Sequence, residues 1–287
     1  MMKTEATLDP RMNAPRRYDW MKLVAAILTA LIGFLFAAPM LWLLVASFNT
    51  HATLSSFNLG FSLQNFVKVF NMQTFGLPIV NSLIISIGTS VLVVTFSVLA
   101  AYPLSRFRSK TTNRTVNAIL FASCLPITAM MVPVYGIFVQ LHLIDSLTGT
   151  ILFMTACGLP QGIFMMKNFM DSVPVTLEEA AWVDGATRMQ ALFHVVVPLM
   201  VPSLLVIFIS EFAGNWGNFF VPFMLLMSPD KEPAAVSIYT FFGQHGTVAY
   251  GQLAAFSLLY SIPILIIYEV TNRYIGNQTL LAGAVKE

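Results

Sequence analysis

Charge is scarce in this chain: Asp, Glu, Lys and Arg make up only 10% of its 287 residues, whereas a soluble domain carries about 25%. With 57% hydrophobic residues and a mean hydropathy of +0.76, a soluble globule of this size could not hide its apolar surface from water. A cytosolic enzyme, a secreted domain, a nucleic-acid binder and a disordered chain are excluded, and the solvent is lipid. Cysteine is nearly absent. Cys124 and Cys157 lie in apolar runs without metal-ligand spacing, so they form no disulfide framework and read as small buried hydrophobes. The phosphate-cradling Gly-x4-Gly-Lys-Ser/Thr loop is missing, since none of the 16 glycines precedes a lysine. The chain therefore cannot itself be an ATPase of that kind. His51, His142, His194 and His245 all fall between the long apolar runs, and no Asp lies inside one. No Ser–His or paired-Asp arrangement is left for an intramembrane enzyme.

What is present is a series of runs long enough to cross a bilayer, for which about 20 apolar residues suffice. They cover about residues 23–47, 80–104, 118–141, 147–166, 199–226 and 253–268, the fifth interrupted by Glu211. Their length predicts helices, because barrel strands are about 10 alternating residues. The first run continues through Leu41–Val45. That exceeds the apolar core of a signal peptide, so an uncleaved anchor is expected. With six spans, 13 of the 15 basic residues fall on one side and only Lys68 and Lys231 on the other. Basic loops are cytoplasmic, so both termini are expected in the cytoplasm. The expected organisation is a cytoplasmic tail over 1–22, a first span with its outside loop over 23–76, a transmembrane domain over 77–272, and a cytoplasmic tail over 273–287.

The longest cytoplasmic loop, roughly Lys167–Pro198, contains two Ser/Thr-x-x-Glu/Gln helix starts, Thr176 with Glu179 and Thr187 with Gln190. Gly185 stands between them, where a helix can end at positive φ. A short helix, a glycine turn and a second helix are predicted at the membrane face. Such a unit suits either the groove of another protein or an ordinary amphipathic surface.

Within this loop Glu179-Ala180-Ala181, then three residues, Gly185, nine residues, and Val195-x-Val197-Pro198 resembles the EAA signature of the membrane subunits of bacterial ABC importers. Val stands where that pattern has Ile and Leu. Asn81-Ser82, Ala100–Phe107, Leu143–Leu147 and the ending Gly283-Ala284-Val285-Lys286 resemble the carbohydrate-uptake branch. The likeness extends over roughly 77–287 and is closest in plan to the second membrane subunit of the maltose importer. Trp216-Gly217-Asn218-Phe219 departs from that branch's Trp-Asn-Asp/Glu-aromatic string.

The resemblance implies an all-α integral membrane subunit of the bacterial inner membrane, with a coupling helix between spans 4 and 5. It implies a related second permease subunit as heterodimer partner, a dimer of ATPase subunits that carries the ATP and Mg, and an extracytoplasmic solute-binding protein. No cofactor is expected in this chain. The coupling set is Glu178, Glu179, Ala180, Ala181, Asp184, Gly185 and Pro198, with Glu179 meeting an arginine of the ATPase. Gly283, Ala284, Val285 and Lys286 are expected to reach the ATPase dimer, and Ser228–Gln252 to meet the binding protein. In span 5, Glu211, Asn215 and Asn218 follow i, i+4, i+7, beside Phe212, Trp216, Phe219 and Phe220. These residues are candidates to line a sugar pathway, or else to pack between helices. An ionisable group inside a span is a functional candidate by default. Cys157–Gly162 in span 4 reads as a helix contact or a kink. A polyamine or other small-solute importer and a secondary carrier are the alternatives. A carrier usually shows several buried ionisable groups and repeated halves, whereas this chain offers Glu211 alone.

Overall fold

The computed structural model describes residues 20–53, 60–107, 109–242 and 248–284, with side chains through residue 273. Most of the tail over 1–22, the loop residues 243–247, and Val285 and Lys286 lie outside that set; of Gly283 and Ala284 only the helical backbone is described. No β-strand occurs among the described residues; an isolated bridge joins Phe242 and Val248.

The helices are α1 (Trp20–Ser47), α2 (Gln64–Val69), α3 (Leu77–Arg106), α4 (Lys110–Ser123), α5 (Ile127–Gln140), α6 (Leu147–Asp171), α7 (Thr176–Val183), α8 (Arg188–Ala191), α9 (Val197–Leu199), α10 (Val201–Trp216), α11 (Phe220–Leu225), α12 (Ala234–Ser237) and α13 (Tyr250–Ala284). Four segments are long and apolar enough to cross a membrane: Trp20–Ser47, Met72–Arg106, Leu147–Asp171 and Tyr250–Arg273. The count rises to six if the two bent pairs, Lys110–Ser123 with Ile127–Gln140 and Arg188–Leu199 with Val201–Trp216, are each one span.

Two of the continuous spans expected from the sequence are therefore broken. The third turns by 90° between α4 and α5. Pro126 lacks an N–H to continue the ladder, and Cys124 is left exposed at the break rather than buried. The fifth ends its main helix at Trp216, and the chain restarts as α11 after Gly217–Phe219. Pro160, by contrast, is carried inside the continuous α6.

α1 packs along α13 and exposes a long apolar face, with Phe34 and Phe36 at the surface, as a lipid-facing helix must. Its end is tied down by buried Asn65, whose amide donates to the carbonyls of Ser47 (3.0 Å) and Asn49 (2.9 Å). Ser47 O belongs to the carbonyls a helix end leaves unpaired, and Asn49 O lies just past that end.

α3 and α6 form the centre. A Cβ on Gly162 would lie 2.6 Å from Val93 Cγ1 and 2.7 Å from Ser97 Oγ, and one on Gly158 would lie 3.1 Å from Val93 Cγ2. The Gly158/Gly162 pair is thus a helix contact, the small-residue packing that brings membrane helices close. Around this contact, one apolar cluster gathers Val98, Ala101, Met166, Met170, Leu192, Val196 and Ile207. A second gathers Ile85, Met131, Phe138, Phe153, Val221 and Leu225.

Candidate functional site

The loop between α6 and α10 is a small, well-tied unit. α7 begins one residue earlier than its sequence suggests, because Val175 already has helical angles, φ −64° and ψ −28°. Thr176 is then inside the helix and cannot cap it, so the Thr176–Glu179 capping box does not form. The Thr187–Gln190 box does: the Gln190 side chain accepts from Thr187 N at 2.8 Å and Thr187 Oγ1 accepts from Gln190 N at 3.3 Å. Between them Gly185 has φ +88°. Gly185 N donates to Trp182 O (3.0 Å) and Ala186 N to Ala181 O (2.9 Å), the paired closure of a helix that ends in a left-handed glycine. The chain then widens into a π-turn over Leu192–Val196 before Pro198 and bends by 77° into α10.

Within the expected coupling set, Glu179, Ala180, Asp184, Gly185 and Pro198 are exposed and Ala181 is half-buried. A shallow cleft lies between Ala181, Asp184, Gly185, Gln190 and His194. Glu178 departs from the expectation: it is fully buried and cannot reach a partner protein. Neighbouring residues of a helix point about 100° apart, so Glu178 faces the membrane body while Glu179 is exposed. Its Oε1 lies 2.6 Å from Arg106 Nε, and its Oε2 accepts from the Tyr102 hydroxyl at 2.8 Å. Arg106 also donates to the carbonyls of Met170 (3.1 Å) and Val173 (3.4 Å). Ser105 Oγ donates to Asp171, which Lys167 also holds.

In α10 the candidate pathway residues divide. Phe212 and Trp216 are buried, stacked in a column with Phe208, Tyr260 and Phe256. The Trp216 indole donates to Tyr260 O (3.2 Å) and the Tyr260 hydroxyl to Trp216 O (2.5 Å). These two aromatics lock α10 to α13 and do not line an open surface. The polar residues are not joined as one stripe either. Asn215 donates to the Glu211 backbone carbonyl at 2.7 Å, and Asn218 caps α11 by accepting from Val221 N at 3.1 Å. Glu211 remains half-buried, its Oε2 resting 2.7 Å from where a Cβ on Gly158 would be. Phe219 is half-buried, packed on Phe223 and Tyr239. Near the end of the last span, Glu269 pairs with Arg273 at 2.6 Å, as their i, i+4 spacing predicts.

At the opposite end of the bundle, two motifs to which the sequence assigned no contact converge on one stretch of chain. Asn81 donates to the carbonyls of Asp230 (2.9 Å) and Glu232 (3.2 Å), and Ser82 Oγ accepts from Ala234 N at 2.9 Å. Asp145, at φ +55°, accepts from Met227 N (3.0 Å), Ser228 N (3.0 Å), Ser228 Oγ (2.5 Å) and Lys231 Nζ (2.9 Å). Lys231 and Ser228 hold the Asp145 carboxyl well below the usual carboxylate range, and the same bond pushes the Lys231 ammonium up. Tyr102, Arg106, Asn81 and Asp145 all lie in strings quoted for their resemblance. Only the fold reveals their partners, which are up to 151 residues away.

Comparison with known proteins agrees with this architecture. Residues 93–277 match the family model described as binding-protein-dependent transport system inner membrane component. The chain is 32% identical over 225 residues to a putative ABC transporter permease protein of Streptomyces antibioticus, covering 78% of this chain and 97% of that one. It is 30% identical to the sulfoquinovosyl glycerol transport system permease protein of Agrobacterium fabrum, over 86% and 88% of the two chains. Among solved structures, a chain from a bacterial ABC transporter involved in the import of the acidic polysaccharide alginate superposes with a TM-score of 0.78 at 23% identity. That match covers 91% of this chain and 99% of the other; at that identity it speaks for the fold. With its apolar spans, its helix–glycine–helix loop and a family match over most of its length, the chain belongs to the inner-membrane permease components of binding-protein-dependent ABC transport systems.

Proposed function

We propose that this chain crosses the inner membrane six times with both termini in the cytoplasm, and forms half of the translocation pathway of a binding-protein-dependent importer for a carbohydrate or related polyol. Each bent pair then counts as one span, which agrees with the one-sided distribution of basic residues. A second permease subunit supplies the other half, an ATPase dimer docks on the loop from Pro174 to Pro198, and a solute-binding protein delivers from outside. ATP drives the switch between inward-open and outward-open states, as a ligand that favours one of two arrangements shifts their populations.

The observation that carries this reading is the α7–Gly185–α8 unit. Glu179, Ala180, Asp184 and Gly185 are exposed on a helix fixed to the inner ends of α3 and α6. That is a docking surface attached to the spans it would move. A carbohydrate is favoured because relatives of this chain are named for sulfoquinovosyl glycerol, diacetylchitobiose and trehalose transport. Glu211 and Asn218, half-buried on α10 and just after it, remain the polar groups offered to such a solute.

The test combines two assays. A thermal-shift screen of the co-encoded binding protein against sugars, polyols and polyamines identifies the solute. The assembled complex in proteoliposomes is then assayed for uptake with and without ATP. Sugar-dependent stabilisation and ATP-dependent uptake are expected. Uptake driven by an ion gradient without ATP would refute the importer reading, and stabilisation by polyamines alone would refute the carbohydrate.

A further inference from the structure

Glu178 is the one charged side chain among the fully buried residues described, and the exposed docking face of α7 makes no use of it. Both its oxygens are engaged by α3, through Arg106 Nε and the Tyr102 hydroxyl. The same guanidinium spans to the end of α6 at Met170 O and Val173 O. Three separate chain segments therefore meet on one planar cation. A guanidinium is suited to this because its donors form a rigid fork with fixed directions. The surroundings are apolar: Ala101, Met166, Met170 and Val196 belong to the adjoining cluster. In such surroundings an ion pair that loses one partner leaves an uncompensated buried charge, and a pair of this kind serves geometry more than stability.

The other exit of the loop is built differently. Toward α10 the chain passes through a π-turn, Pro198 and a 77° bend at Met200. No ion pair crosses it among the described residues. π-turns interrupt the regular ladder and recur at functional sites.

We propose that Arg106, Glu178 and Tyr102 form a latch that makes the coupling helix α7 move as one body with the inner ends of α3 and α6, so that displacement by the ATPase enters the bundle through these two spans while the joint to α10 yields. The proposal rests on the importer reading above and adds the route by which motion travels. Arg106, Glu178 and Tyr102 are positioning residues in it.

The experiment uses the full permease–ATPase complex, with Cys124→Ser so that Cys157 is the only thiol of this chain. Cys157 sits half-buried in α6 and reports on that helix. The rate of N-ethylmaleimide labelling of Cys157 is measured with and without a non-hydrolysable ATP analogue and Mg. A nucleotide-dependent change of about threefold or more is expected in the parent. Glu178→Gln and Arg106→Gln should each cut that change by half or more, while Arg106→Lys keeps the larger part. A general loosening of the fold would shift both rates together and leave their ratio intact. The latch is overturned if either Gln variant keeps the parental ratio, or if Arg106→Lys falls as far as Arg106→Gln. If the Gln variants do not assemble, Tyr102→Phe decides, since it removes one hydroxyl and keeps the ring. An undiminished ratio there overturns the latch, and a reduced one supports it. Absence of any nucleotide effect in the parent refutes the importer reading instead.

Discussion

Gly162→Ala adds one methyl group at the close contact between α3 and α6. The new Cβ would lie 2.6 Å from Val93 Cγ1 and 2.7 Å from Ser97 Oγ, whereas carbon atoms rest at about 3.5–4.0 Å. α3 and α6 must part by about 1 Å, or both side chains must leave their rotamers at once. Inserting a methyl into a packed core of this kind costs about 1–3 kcal/mol. Replacing a helix-interior glycine returns about 1 kcal/mol, so a net loss of about 0–2 kcal/mol is expected, about 1–3 kcal/mol worse than the same change at an open site. Gly136 supplies the control, because a Cβ there meets nothing within 4 Å. Gly136→Ala should be neutral or raise the thermal midpoint. Thermal unfolding of the purified complex in detergent, followed on this chain, is the assay. Val93→Ala removes Cγ1 and should offset part of the Gly162→Ala loss, giving a non-additive pair with a coupling of about 0.5–3 kcal/mol. Equal midpoints for Gly162→Ala and Gly136→Ala, or strict additivity with Val93→Ala, would refute the close-contact argument.

Other outcomes follow from the two ends of the bundle. Gly185→Val puts a β-branched residue at φ +88°, at a cost of about 2 kcal/mol; trypsin cleavage at Arg188 should quicken, and unchanged cleavage would mean that the turn tolerates a Cβ. Glu179→Lys should leave the chain in the membrane but reduce co-purification with the ATPase, and wild-type recovery of the complex would remove Glu179 from the docking face. Asp145→Ala deprives two backbone N–H groups of their acceptor, each bond being worth about 1 kcal/mol, whereas Asp145→Asn keeps that capacity and should lower the midpoint less. Since the folded Asp145 carboxyl lies below its ordinary value, its contribution is present above about pH 4. It is lost as the pH falls further, so the wild-type midpoint should drop more steeply than that of Asp145→Ala in acid.

The sequence revealed the membrane class, the number of apolar runs and the loop with its glycine turn, because these depend on local composition and short-range spacing. The Gly185 turn and the Thr187–Gln190 box are contacts between residues at most five apart, and they are present as read. The Thr176 box failed for a local reason too: Pro174 and Val175 had already started the helix. What could not be read were pairings across the bundle. Arg106 looked like one more cytoplasmic cation, and Glu178 like a member of the coupling set, because their 72-residue separation carries no periodic signal. The aromatic spacing in span 5 was visible. Its direction was not, since a column facing α13 and a column facing a solute have the same period.

The clasp around residues 227–234 makes this end of the molecule a mechanical gauge of the bundle. That stretch is held by Asn81 and Ser82 on α3 and by Asp145 at the entry to α6. Its shape therefore depends on the separation of two helices whose other ends hold α7. A dye attached near Ser228 would therefore sense at this rim a change that begins at the far ends of α3 and α6. That held stretch cannot be lengthened without slackening the gauge.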